Sequence, residues 1–217
     1  TLVAPRPERL IALKQQIEEE TPGAQVTIAT TPDDYVADMD VIVTTTSAFN
    51  QRVIDIVKCK PGAVILDVAL PPDISAEEAA GRPDVMGVES GEVVIPGPGK
   101  VSFDIGLPPG VAYACLAEAA LLAMEERFEC FTLGRDLAPA RVKEIYRLFR
   151  KHGFEIAPLR TFGELLTDGM IAEKRARAEE LLRDPKLLKR VKAEAAAKMA
   201  KIPPRAKGVA GVTTLKG

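Results

Sequence analysis

The apolar run GVAYACLAEAALLAM, residues 110–124, contains one thiol, Cys115, and one carboxyl, Glu118. Three residues apart on a helix, they occupy neighbouring positions of one face. A cysteine near a helix N-terminus is drawn towards the thiolate, the form that attacks carbonyl carbon in covalent catalysis. The same residue inside a packed helix is simply a small hydrophobe. Pro108-Pro109-Gly110 predicts a helix over 109–128, which sets Cys115 about a turn and a half inside it, where the dipole's influence is fading. Glu118 is costly to bury alone. It either pairs with a cation such as Arg135 or takes part in chemistry. Both readings stay open for both residues. Cys59, between two lysines before a turn, and Cys130, at a helix end, read as bystanders.

Two further groups suit a ligand. Thr44, Thr45, Thr46 and Ser47 close the run MDVIVTTTS, so their hydroxyls fall at a strand end, where they can meet ribose or phosphate or form a polar terminus. Arg6 and Arg9 follow the first apolar strand. In dinucleotide-binding folds that place carries an acid for NAD or a cation for the 2'-phosphate of NADP. Glu8 stands nearby but not at the strand end, and a solvated first helical turn is the competing account. His152 before Gly153 reads as a helix C-terminus, with the imidazole near the negative dipole end and glycine beyond it.

The elements that would hold these residues alternate. TLVAP (1–5), AQVTIA (24–29), MDVIVTTTS (39–47) and PGAVILDVA (61–69) are strand-like runs, with PERLIALKQQIEEE (7–20) an amphipathic helix among them. VMGVESGEVVIPG (85–97) gives two short strands joined through Gly91. Continuous Val/Ile runs separated by helices indicate parallel strands covered on both faces. Helices follow at 109–128 and 139–152, then a charged helical stretch from 162 to about 202 with a break at Asp184-Pro185. PPRAKGVAGVTTLKG, from residue 203, reads as a loose terminus. The expected fold is α/β: a partial Rossmann-like, doubly wound parallel sheet followed by C-terminal helices. The expected divisions are a partial nucleotide-binding domain over 1–108, closing helices over 109–160 and a basic helical tail over 161–217. The glycine-rich turn that seats a pyrophosphate in such folds is missing, because GPGK (97–100) is followed by no helical pattern and reads as a hairpin turn. The chain is therefore expected to be a fragment.

Composition narrows the classes. Of 217 residues, 47% are apolar and 28% charged, ordinary for a globular protein. No apolar run reaches the ~18 residues of a membrane span, and no secretory leader is visible. Three unevenly spaced cysteines make neither a disulfide framework nor a zinc site, and a single histidine excludes sites that need two imidazoles. No metal is expected, and a reducing cytoplasm is the expected compartment. From residue 183 onward ten Lys or Arg face two acids, a local balance of +8 on a chain whose net charge is -2. Such a tail can steer an acidic partner. Its apolar stripe, Leu187, Leu188, Val191, Ala195 and Met199, can instead dock on the body or on a second subunit.

Several segments, in order, resemble long-chain acyl-(acyl-carrier-protein) reductases: VIVTTTS, KPGAVILDVALPPDI, YACLAEAALLAMEERF, LGR (133–135) and KHGF (151–154). The resemblance spans about residues 1–156, is densest at ACLAEAALL, and departs from the family at DVALPP. It implies a cytoplasmic NADP-dependent oxidoreductase. Cys115 would take the acyl group from a thioester on acyl carrier protein or coenzyme A, and hydride would release an aldehyde. It favours Arg6 and Arg9 as readers of the 2'-phosphate, with Thr44 to Ser47 along the cofactor. No nucleic-acid partner is implied, and a homo-oligomer is possible. A dehydrogenase of small hydroxy or amino acids on the same sheet is the first alternative. A non-catalytic nucleotide-binding or interaction module is the second.

Overall fold

The computed structural model describes residues 1–47, 52–98, 103–132, 134 and 137–203. They fall into two compact units. One comprises Thr1–Glu89 together with the chain from Arg160 onward, and the other is Ser90–Leu159. As expected, the protein is mixed α/β, with parallel sheet strands and C-terminal helices.

The first unit begins with β1 (Leu2–Val3), α1 (Pro7–Glu20) and β2 (Ile28–Ala29), in which β1 and β2 pair in parallel. Helix α1 has the bounds read from sequence, because Pro7 presets the first helical φ and lacks the N–H that would otherwise be orphaned there. β3 (Val41–Thr44), β4 (Val64–Asp67), α2 (Ala76–Ala79) and β5 (Met86–Glu89) follow, and the three strands are parallel neighbours in one sheet. Ile42, Ile65 and Gly87 lie abreast in this register, as do Thr44, Asp67 and Glu89. Both rows share one face, because side chains alternate along a strand. The helix α2 opens on a capping box: Ser75 accepts the Glu78 N–H while the Glu78 carboxylate accepts the Ser75 N–H.

The second unit carries β6 (Glu92–Val94), β7 (Val111–Tyr113), α3 (Ala114–Met124), α4 (Pro139–Lys151) and β8 (Glu155–Ile156). Its three strands are antiparallel in the order β7-β6-β8, over a small core of Val93, Ala117, Leu121 and Phe154. Here the expected helix over 109–128 is corrected. Val111–Tyr113 pairs with β6, and the helix begins only at Ala114. Apolar residues suit either element, and the neighbouring strand decides between them.

The chain then re-enters the first unit through β9 (Arg160–Thr161), antiparallel to β5, and β10 (Glu164–Leu165), giving the sheet order β10-β9-β5-β4-β3. Two helices close the unit, α5 (Asp168–Arg183) and α6 (Pro185–Met199). The break between them falls at Asp184, as read from sequence. Its carboxylate accepts the N–H groups of Lys186 and Leu187, and Pro185 takes the first helical position. Helix α6 is docked: Val191, Ala195 and Met199 are buried, and Met199 joins the core with Ile54, Ile56, Ala63, Ile65 and Val85.

Under that core lies an ion pair with no solvent exposure, Arg82 with Asp84. The guanidinium donates twice to Asp84, at 2.9 and 2.6 Å, and to the carbonyls of Ile56, Val57 and Cys59. Arg82→Met should therefore cost about 3–5 kcal/mol, because it strands Asp84 as an unpaired buried charge. Pairing it with Asp84→Leu should restore part of that loss. Urea melts of the four-protein cycle measure the coupling, and strictly additive losses would refute it.

Candidate functional site

In open α/β sheets ligands sit beyond the carboxyl ends of the strands. Here that edge is built from Thr44, Asp67 and Glu89, one from each parallel strand. Asp67 is buried and organises the neighbouring loop. It accepts the Thr44 hydroxyl at 3.0 Å and the N–H groups of Ala69 and Ile74, both at 3.1 Å. Asp73, also buried, accepts the Thr46 hydroxyl at 2.6 Å and the Thr46 N–H at 3.3 Å.

Glu89 has a different task. Its carboxylate accepts the N–H of Gly163 at 2.9 Å, and Arg160 donates to the Gly163 carbonyl. Together they fix the two-residue turn Phe162-Gly163 that joins β9 to β10. Both residues have positive φ, 49° at Phe162 and 84° at Gly163. That pattern belongs to the tight hairpin turn whose first position favours Asn, Asp or Gly. A bulky ring there is strained. What holds it is packing. The Phe162 ring lies against Gly87, where an added Cβ would sit 2.9 Å from the ring's Cζ. Ile65, Asp67, Pro72, Ile74, Gly87, Val88, Glu89 and Phe162 thus line a small, partly open cleft of about 20 Å³. It is apolar inside, with two carboxylates at its edge. None of this was foreseen from the sequence, although a Phe-Gly pair between Arg160-Thr161 and Glu164-Leu165 is a hairpin signal.

The residues singled out by sequence are spread across both units. In the first, Thr44 and Thr46 are tied to Asp67 and Asp73, while Thr45 and Ser47 are exposed. Arg6, the residue before α1, and Arg9 in its first turn are exposed. In the second unit Cys115 is the second residue of α3, not a turn and a half inside it, and is exposed. Glu118 accepts a hydrogen bond from Thr132, and the Arg135 suggested as its partner lies outside the described residues, as do Gly99 and Lys100 of GPGK. His152 follows α4 with Gly153 at φ 73° beyond it, and its Nε2 meets Glu125. Glu125 also accepts from Lys151, and those two partners hold its carboxyl below the usual carboxylate range. Burial pushes the Cys59 thiol up to about 11 despite the opposing charge of Arg82.

No protein-family model matches the sequence. The chain is 38% identical over 144 residues to a protein named aminotransferase PigE, from Serratia sp. (strain ATCC 39006). The match covers 65% of this chain, and the chain spans only 16% of that relative's length. The likeness supports an enzyme but corrects several expectations. It replaces the resemblance to acyl-(acyl-carrier-protein) reductases, and with it the oxidoreductase that makes an aldehyde from an acyl thioester. It equally lends no support to the small-acid dehydrogenase. NADP falls with them, because amino-group transfer ordinarily runs on pyridoxal phosphate, held through a lysine Schiff base.

The cleft does not fit pyridoxal phosphate either. Among the described residues that line it there is no lysine for a Schiff base and no cation for a phosphate. Lys174 and Lys192, partly buried and held below the usual lysine range by that burial, reach backbone carbonyls at the other end of the sheet. Lys174 donates to Pro83 and Val85, just before β5, and Lys192 to Lys58, before β4. Among the described residues no helix is long and apolar enough to cross a membrane.

Two measurements check this geometry. A thiol reagent at mildly alkaline pH should label Cys115 and Cys130 in the folded protein and reach Cys59 only after denaturation; early labelling of Cys59 contradicts its burial. Gly87→Ala should destabilise by about 1–3 kcal/mol through overpacking against Phe162, and Phe162→Leu should relieve much of it. Equal losses in both backgrounds would show that the ring does not rest on Gly87.

Proposed function

We propose that this chain is part of an enzyme of aminotransferase type, and that the cleft beneath Phe162 holds the ammonium group of its amine substrate or product. The observation that carries the proposal is the pairing of Asp67 and Glu89 on one sheet face at the carboxyl edge. Two acids beside an apolar pocket attract a cation and repel a phosphate or carboxylate. Asp67, bonded to Thr44 and two backbone N–H groups, is a fixed negative charge. Glu89 shares its carboxylate with one backbone N–H, leaving acceptor capacity for a ligand. A cleft of about 20 Å³ has room for one group the size of a water molecule, which suits an ammonium head and leaves the alkyl part of the amine outside. In this reading the segment binds and orients the amine. The relative's name supplies the class of reaction, and residues beyond this segment would supply the transfer chemistry.

The test is a titration with n-propylamine, charged at neutral pH, followed by amide chemical shifts. Saturable shifts should centre on Gly87, Glu89 and Gly163, with propionate inert. Glu89→Gln keeps an acceptor for Gly163 but removes the charge, and should weaken amine binding about tenfold or more, the value of one charge-assisted hydrogen bond. Equal response to propionate, or unchanged affinity in Glu89→Gln, refutes the reading.

A further inference from the structure

β3 is the edge of its sheet: among the described residues it pairs with β4 alone, and β1 pairs with β2 alone. The hydrogen bonds show which groups the edge leaves open. The carbonyls of Asp40 and Thr44 accept from Val64 and Val68, both at 2.9 Å, so the even-numbered residues turn their backbone towards β4. Val41 and Val43 therefore turn theirs outward. The same alternation applies at β1, where the Leu2 and Ala4 N–H groups donate to Thr27 and Ala29, leaving Val3 to face the other way.

Both edges are apolar. The side chains of Val41 and Val43 are 62% and 57% exposed, and Val3 is 41% exposed. Edge strands that stay unpaired usually carry lysine, proline or a bulge against unwanted pairing. VIVT has none of these. Its Val/Ile run is that of an inner strand of a parallel sheet, whose two faces are covered. In a doubly wound sheet of order 3-2-1-4-5-6, the strand that opens the first half lies between the second strand of its own half and the strand that opens the other half. The parallel pair β2-β1 and the parallel run β3-β4-β5 match the 3-2 and 4-5-6 parts of that order, with the place between β1 and β3 open among the described residues.

We propose that β3 accepts one further parallel strand, about four residues long and apolar on both faces, through the outward N–H and C=O groups of Val41 and Val43, with β1 on its far side. The strand is supplied by polypeptide continuous with this chain. Most of the matched relative's length lies outside the match, and a tethered strand has the high effective concentration that a free peptide lacks. Main-chain hydrogen bonds supply the affinity and the exposed valines select an apolar neighbour.

Amide hydrogen exchange tests this in the 217-residue protein, alone and with a strand of sequence Val-Val-Ile-Val joined to Thr1 by a Gly/Ser linker of about 15 residues, whose reach is about 20 Å. In the protein alone, Val41 and Val43 amides should exchange fast while Ile42 and Thr44 are protected. The joined strand should slow Val41 and Val43 by about a hundredfold or more and raise Tm. Val43→Pro removes one outward donor, and should abolish that gain while barely changing the protein without the strand. Unchanged exchange on joining the strand overturns the proposal. So does protection of Val41 and Val43 in the unjoined protein. If that protection grows with concentration alongside a dimer, the occupant is a second copy.

Discussion

The guanidinium of Arg82 is the constraint on which the first unit depends. It lies out of solvent with Asp84, and its remaining donors take the carbonyls of Ile56, Val57 and Cys59. Those carbonyls belong to the turn that leads into β4, while Arg82 and Asp84 lead into β5. One side chain therefore fixes the approach to two adjacent strands at their amino ends. The charge is tolerable because each neighbour answers it: Asp84 neutralises it, and the carbonyls of Ile56, Val57 and Cys59 accept its remaining hydrogen bonds. Its influence reaches further, lowering the thiol of Cys59 against the larger effect of burial and adding to the desolvation that lowers Lys192.

With the amino ends fixed, the register carries that order to the carboxyl edge. Because β4 and β5 run parallel and abreast, the positions of Asp67 and Glu89 follow from those of Val64 and Met86. The two acids then divide the labour. Asp67 organises the loop from 68 to 74 by accepting backbone N–H groups, and Glu89 holds the turn that places Phe162. The strain of a phenylalanine at positive φ is offset by ring burial over Gly87, a position where only glycine leaves room. Rigidity at one end of the sheet thus supports a strained turn and a small cleft at the other. Local strain of this kind persists only where the surroundings over-determine it.

What the sequence disclosed was local. Helix α1 and the break at Asp184-Pro185 were readable because proline and a capping aspartate act within a few residues. The parallel strands were readable from their Val/Ile runs, although their ends were not, since ladder partners set those ends. The cleft was not legible. It depends on residues 65, 87 and 162 meeting, and no spacing rule links them. Arg82 gave no sign of burial, because arginine is almost always at the surface. The pull towards ACLAEAALL had a physical source as well. Small apolar helix formers recur wherever a helix packs closely, so a short match of them carries little information about chemistry. The strand at Val111–Tyr113 and the exposed Cys115 at the start of α3 show how far that segment departs from the helix expected of it.

The basic C-terminal stretch shows the same limit from the other side. Its charge was plain from composition, and so was its apolar stripe, but composition could not rank them. In the folded chain Val191, Ala195 and Met199 are buried, and Leu187 and Leu188 are partly covered. Lys186, Lys189, Arg190 and Lys198 stay exposed. Burying an apolar stripe is favourable at any salt concentration, whereas an exposed charge acts on partners only within about a Debye length. The stripe therefore decides where α6 sits, and the charges go where the stripe leaves them. Any attraction these residues exert on an acidic molecule comes from a fixed helical surface, which fixes the direction of approach along with its strength.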